Sequence, residues 1–144
     1  RTPRHTRLLT VSGVQTCALP RGDLLSRLGD VEGAKSAYDE AEELYQREGD
    51  RLGLANLLQS RGDLLRTGGA IPQAYQVYRE AEALYCEVQN AVGRICTLAE
   101  LYDCCRQLSK RREAEEIKKE ILSMIDSIPY EKVRRYAYSK FKKG

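Results

Sequence analysis

The sequence predicts an all-α protein of about seven helices, stacked as antiparallel pairs. The chain repeats itself, because residues 21–60 and 61–100 align without a gap and are identical at fifteen positions. Within each unit, apolar and small residues recur every three or four positions, which places them on one face of a helix. Glycines separate these periodic segments, as expected for turns. A fixed period of this length is typical of stacked repeat proteins, in which one unit cannot bury its apolar face alone.

The first two units each predict one helix pair. In the first unit we expect helices at about 19–28 and 31–48. In the second we expect helices at about 51–67 and from 70–71 to 89–90. Gly68 and Gly69 end the first helix of the second unit, and Pro72 lies in the first turn of the next, where its missing N–H costs nothing.

The third unit, residues 101–140, keeps only part of the pattern. We expect helices at about 91–108, 111–126 and 130–142. Tyr102, Ser109 and Lys118 replace the repeated mid-helix glycine, the turn glycine and the aromatic residue. A terminal repeat needs a polar outer face, so we interpret the divergent last helix as a cap.

The repeat resembles the tetratricopeptide repeat in its longer form of about forty residues, which occurs in bacterial signalling proteins. The resemblance covers roughly residues 21–140 and is strongest over 21–100. Leu58 stands where the family has a Trp near the start of its first helix. The family's small, turn and aromatic positions fall on Gly22 and Gly62, Gly29 and Gly69, Ala34 and Ala74, Tyr38 and Tyr78, and Ala41 and Ala81. The resemblance implies a right-handed α-solenoid.

Residues 1–20 do not fit the repeat. The stretch Val11–Pro20 resembles the conceptual translation of a common sequencing adapter. We therefore interpret residues 1–20 as a non-native or disordered leader fused to a truncated reading frame. The alternative is a signal peptide, but its apolar part is short and is interrupted by Ser12 and Gly13.

Composition argues against several classes of function. The net charge of +3 is too small to indicate nucleic-acid binding, and no apolar run approaches the ~20 residues of a membrane helix. The five cysteines form no CxxC pair, and their odd number favours a reducing, cytoplasmic location. The single histidine, His5, leaves no general base for a nucleophile. We predict no enzyme activity, catalytic residue, metal site, cofactor or small-molecule substrate.

The resemblance also implies a binding site, because the family binds peptides on a concave face lined by the first helix of each pair. Alignment on Gly62 gives the candidate groove residues Asn56, Gln59, Asp63, Arg66, Asp103, Arg106 and Asp23, with Cys96 and Ala99 at further aligned positions. An Asp thus repeats every forty residues with an Arg nearby. Each Asp either contacts a ligand or pairs with its own Arg along the helix, which is worth ~0.2–0.5 kcal/mol. The Arg-Gly-Asp tripeptides at 21–23 and 61–63 lie within helices, so we interpret them as structural.

The predicted function is a protein–protein interaction scaffold that binds a peptide or protein. One alternative is a regulatory or sensor segment of a larger ATPase or transcription regulator. Another is binding of nucleic acid or an anionic membrane through the basic residues of the last helix, Arg134, Arg135, Lys140 and Lys142. The sequence does not identify the partner.

Overall fold

The computed structural model of the protein describes residues 18–142, and these residues form seven helical segments without a strand. The segments are α1 (residues 18–27), α2 (Val31–Glu48), α3 (Arg51–Thr67), α4 (Ile71–Glu87), α5 (Ala91–Gln107), α6 (Arg111–Ile125) and α7 (Glu131–Phe141). The predicted all-α architecture is confirmed, and every helix end lies within three residues of the expected position.

The structure includes in α1 three residues that the sequence assigns to the leader. Residues 18–20 are helical, and Ala18 is 1% exposed in a cluster with Tyr38 and Leu57. The prediction for residues 1–17 lies outside the described residues.

The first five turns recur every twenty residues. Each contains one residue with a positive φ of 56–84°, namely Gly29, Gly49, Gly69, Gln89 and Ser109. After three of these turns, the side chain of Asp30, Asp50 or Asn90 accepts a hydrogen bond of 2.8–2.9 Å from the backbone N–H three residues later. Such caps satisfy a donor that the first helical turn leaves unpaired. The helices therefore begin at regular intervals.

Helix pairs are held together by a tyrosine that packs on a glycine. Tyr38 of α2 lies against Gly22 of α1, and Tyr78 of α4 lies against Gly62 of α3. A Cβ atom added at Gly62 would be only 2.5 Å from the Tyr78 ring. The glycines are therefore required by close approach, as expected for the small mid-helix position.

Candidate functional site

The first helices of consecutive pairs lie side by side and form a surface that we call the first-helix face. Asp23 of α1 and Asp63 of α3 line one cavity. Arg66 of α3 approaches Glu100 of α5 at 3.2 Å, and Asp103 of α5 accepts a hydrogen bond of 2.6 Å from Lys140 of α7. The three aspartates predicted from the repeat thus lie on successive helices of one face.

Tyrosine hydroxyls hold the first two of these aspartates. Tyr38 donates to Asp23 Oδ1 at 2.8 Å, and Tyr78 donates to Asp63. Burial and the neighbouring carboxylate both raise the pKa of each tyrosine, so the hydroxyls remain donors. Burial also raises the pKa of Asp63, an effect that the Tyr78 hydrogen bond opposes. The carboxylates are thereby fixed in orientation.

Arg66 contacts the neighbouring helices. Its Nε donates to the Tyr78 hydroxyl at 3.3 Å and lies 3.2 Å from Glu100 Oε2. Glu100 Oε2 has no hydrogen-bond donor among the described residues, because the Nε–H of Arg66 is directed at Tyr78. Arg66 thus attracts the Glu100 carboxylate electrostatically but donates no hydrogen bond to Glu100 Oε2.

Asn56 and Gln59 share a different tyrosine. The hydroxyl of Tyr85, which is 1% exposed, lies 2.6 Å from Asn56 Oδ1 and 2.8 Å from Gln59 Oε1. Asn56 is exposed and Gln59 is half-buried. Ala99, which the alignment places at the position of Gln59, is completely buried and so cannot contact a ligand.

In the third unit, a lysine takes the place of the tyrosine hydroxyl. Lys140 lies 2.6 Å from Asp103 Oδ2 and 3.3 Å from Glu100 Oε1. Glu100 is only 5% exposed, and burial raises its pKa although Lys140 and Arg66 oppose the shift. A carboxylate at this depth requires the two cations.

The four basic residues predicted on the last helix do not share one exposed surface, and Lys142 lies one residue after α7. Lys140 is 9% exposed and faces α5. Arg135 is exposed but donates to Glu131 at 2.6 Å, whereas Arg134 is half-buried and Lys142 is exposed. Arg106, a predicted groove residue, is also exposed, and its guanidinium carbon lies 5.8 Å from the centroid of the Tyr102 ring.

Both Arg-Gly-Asp tripeptides have structural contacts at all three residues. Arg61 pairs with Asp39 at 2.7 Å and with Glu42 at 2.5 Å, and Arg21 pairs with Glu40. The glycines contact Tyr38 and Tyr78, whose hydroxyls donate to the aspartates. These contacts agree with the structural interpretation of the tripeptides.

One repeat position was missed from the sequence. Each predicted aspartate is followed, 37 residues later, by a residue that lies beside it on the neighbouring first helix. These residues are Ser60 for Asp23, Glu100 for Asp63 and Lys140 for Asp103. The constant separation is the signal that identifies them. This separation can be interpreted only from the structure, in which residues 37 positions apart lie side by side on neighbouring first helices.

A cavity of about 410 Å³ opens between α1 and α3. Polar and charged side chains dominate its lining, which consists of Asp23, Ser26, Arg27, Tyr38, Ser60, Asp63 and Thr67. It contains two of the predicted groove residues and lies at the regular end of the repeat.

Other kinds of site have little support in the described residues. No group of three or more His, Cys, Asp or Glu side chains within residues 18–142 could hold a metal ion. Cys86, Cys96, Cys104 and Cys105 are free, and burial raises the pKa of Cys104 to about 11. Over the same range, no helix is both long and apolar enough to cross a membrane.

Comparison with known proteins agrees with the repeat. Residues 15–87 match the family model of the tetratricopeptide repeat. No curated protein matches the chain, and no solved structure matches it. The matched segment ends with α4, so it includes both helix pairs in which Tyr38 or Tyr78 packs on a glycine.

Proposed function

Because the chain belongs to the tetratricopeptide repeat family, we propose that it is a scaffold that binds a peptide or protein on its first-helix face. Repeats of this family generally mediate protein–protein interaction and are typically not catalytic. We therefore propose that the chain is not an enzyme and takes no small-molecule substrate.

The observation that carries this proposal is the row of oriented carboxylates on successive first helices. Asp23 and Asp103 are half-buried, which leaves part of each open to solvent. Asp23 is held by Tyr38 and Asp103 by Lys140. Polar groups that are already fixed lose little conformational freedom on binding, which favours affinity and specificity.

Binding of anions through α7 has less support. Lys140 is directed at α5, and Arg135 is already paired with Glu131. Nucleic-acid binding depends on several basic groups that are free to neutralise phosphates. We therefore favour a peptide or protein partner.

We further propose that residues 21–140 act as one domain of three units, 21–60, 61–100 and 101–140. A reducing, cytoplasmic location is part of the same proposal. The free thiols of the described cysteines support it, and burial keeps Cys104 protonated at neutral pH.

A random dodecapeptide display library tests the proposed face. Peptides selected on the wild-type chain are measured by calorimetry against Arg27→Glu/Arg106→Glu, which changes two exposed residues of this face. The matched control, Lys35→Glu/Arg112→Glu, makes the same change of charge on α2 and α6 at exposed positions. We expect the affinity of the first variant to change at least tenfold, in the direction set by the charge of the peptide, and that of the control to change less than twofold. Equal changes in both variants would contradict the proposed face.

A further inference from the structure

The three junctions between neighbouring first helices have different side chains at the same repeat position. At the α5–α7 junction, the ammonium of Lys140 lies 2.6 Å from Asp103. At the α3–α5 junction, the corresponding residue is Glu100, and Arg66 approaches it at 3.2 Å. At the α1–α3 junction, the corresponding residue is Ser60, which is too short to fill the same space.

The space beside Ser60 is the cavity of about 410 Å³. This volume falls within the roughly 300–1,000 Å³ typical of ligand pockets. The carboxylates of Asp23 and Asp63 line it, and Tyr38 fixes the first of them with a hydrogen bond of 2.8 Å. The chain therefore leaves unfilled, next to Asp23, the position that a lysine occupies next to Asp103.

We propose that the cavity between α1 and α3 receives one lysine or arginine side chain of a bound peptide, with its cationic group between Asp23 and Asp63. This inference rests on the proposed function and adds the chemistry of the partner. Lys140 provides the template within the same molecule, because it enters the equivalent junction and meets the equivalent aspartate.

The charges of the lining favour a single cation. Two carboxylates and the exposed guanidinium of Arg27 leave one net negative charge when both aspartates are ionised. Burial raises the pKa of Asp63, and repulsion by the Asp23 carboxylate adds to this effect, whereas Tyr78 and Arg66 oppose it. A basic side chain relieves this repulsion and forms charge-assisted hydrogen bonds, whereas an acidic side chain increases it.

Two substitutions test the pocket with peptides from the same display library. Ser60→Lys supplies an internal lysine at the repeat position of Lys140 and should weaken binding at least tenfold. Its matched control, Ser36→Lys, adds a lysine at an exposed position of α2 and should leave binding unchanged. Asp23→Asn preserves the size of the side chain and should also weaken binding about tenfold.

A double-mutant cycle then assigns the contact to one peptide residue. Replacing the peptide's basic residue with norleucine should weaken binding to the wild type about tenfold but leave binding to Asp23→Asn unchanged. Unchanged binding to Ser60→Lys would overturn the inference, because the pocket would then hold solvent only. Unchanged binding of a peptide without its basic residue would overturn it for the same reason. The proposed function would still stand in that case if Arg27→Glu/Arg106→Glu changes the affinity at least tenfold. A selection that yields no binding peptide would overturn both.

Discussion

The second unit has its tyrosine on its second helix, whereas the third unit has a tyrosine on its first helix. In the second unit, Gly62 of α3 faces the ring of Tyr78 from α4, whose hydroxyl binds Asp63. In the third unit, the glycine position is Tyr102 and the tyrosine position is Lys118. The Tyr102 ring meets Phe141 of α7 edge-on at 5.1 Å, and Asp103 binds Lys140 of α7. The second unit is thus completed by its own helices, whereas the third depends on the helix that follows.

The largest effect should come from truncation of the tyrosine in the second unit. Tyr78 is completely buried, so Tyr78→Ala should lower the free energy of unfolding by about 3–5 kcal/mol. Lys118→Ala changes the same repeat position in the third unit, where the side chain is only half-buried, and should cost about 0.5 kcal/mol. Urea denaturation measures both values. Similar losses would show that the two units are held in the same way.

Removal of the ammonium at the third unit should have the next largest effect. Lys140→Met should cost about 1.5–3 kcal/mol, the range for a hydrogen bond to a charged group, because Glu100 and Asp103 lose their cation. Hydrogen exchange should become faster in α7 before it changes in α3 and α4. Lys142→Met, at an exposed position one residue after α7, should leave exchange unchanged. Unaltered exchange in Lys140→Met would mean that α7 is held by apolar contacts alone.

A smaller loss is expected where the tyrosine needs a glycine. Gly62→Ala gains about 1 kcal/mol of helix propensity but places its Cβ 2.5–2.8 Å from three atoms of the buried Tyr78 ring. Overpacking of this kind costs about 1–3 kcal/mol, so we expect a net loss in thermal melts. Ser36→Ala, at an exposed position of α2, gains propensity without the clash and should raise the melting temperature slightly. A raised melting temperature for Gly62→Ala would contradict the close approach.

The smallest effect concerns the pH dependence of stability at Glu100. Burial raises the pKa of Glu100 above its ordinary value of 4.5, so the folded state binds this proton more tightly than the unfolded state. Its contribution to stability is therefore fully present below about pH 4.5 and is lost as the pH rises through the folded pKa. Glu100→Gln lacks this loss, so its stability relative to the wild type should increase from pH 4 to pH 7 in urea denaturation. A difference that is constant with pH would show that Arg66 and Lys140 cancel the effect of burial.

The helices could be predicted because they depend on short-range patterns. Apolar spacing of three or four residues and the turn glycines are local signals, and the repeat reinforces them by duplication. The row of aspartates could be predicted for the same reason. The repeated Asp and Tyr also keep a constant separation of fifteen residues, a signal in the sequence that matches the contact of Asp23 with Tyr38.

The surroundings of Glu100 and Lys140 could not be predicted from their own helices. The sequence of α7 alone has a basic side and predicts that Lys140 is exposed to solvent like the other cations of that side. Its burial depends on the approach of α5, whose contacting residue lies 37 positions earlier. Long-range packing of this kind overrides the local preference of a charged residue for solvent.

The residues of positive φ at 29, 49, 69, 89 and 109 also determine which changes of length the chain tolerates. One residue inserted within a helix rotates everything after it by about 100° around the helix axis and disturbs the contacts between residues on opposite sides of the insertion. Forty residues inserted at a turn preserve the spacing of 37 residues at every junction between first helices. A second copy of residues 51–90 placed between Asn90 and Ala91 would join Asn90 to the copied Arg51. Asp50 precedes Arg51 in the present chain and caps α3 through its side chain, as Asn90 caps α5. The protein is thus extendable by whole helix pairs, and the polar row of the first-helix face would lengthen by one aspartate with each added copy.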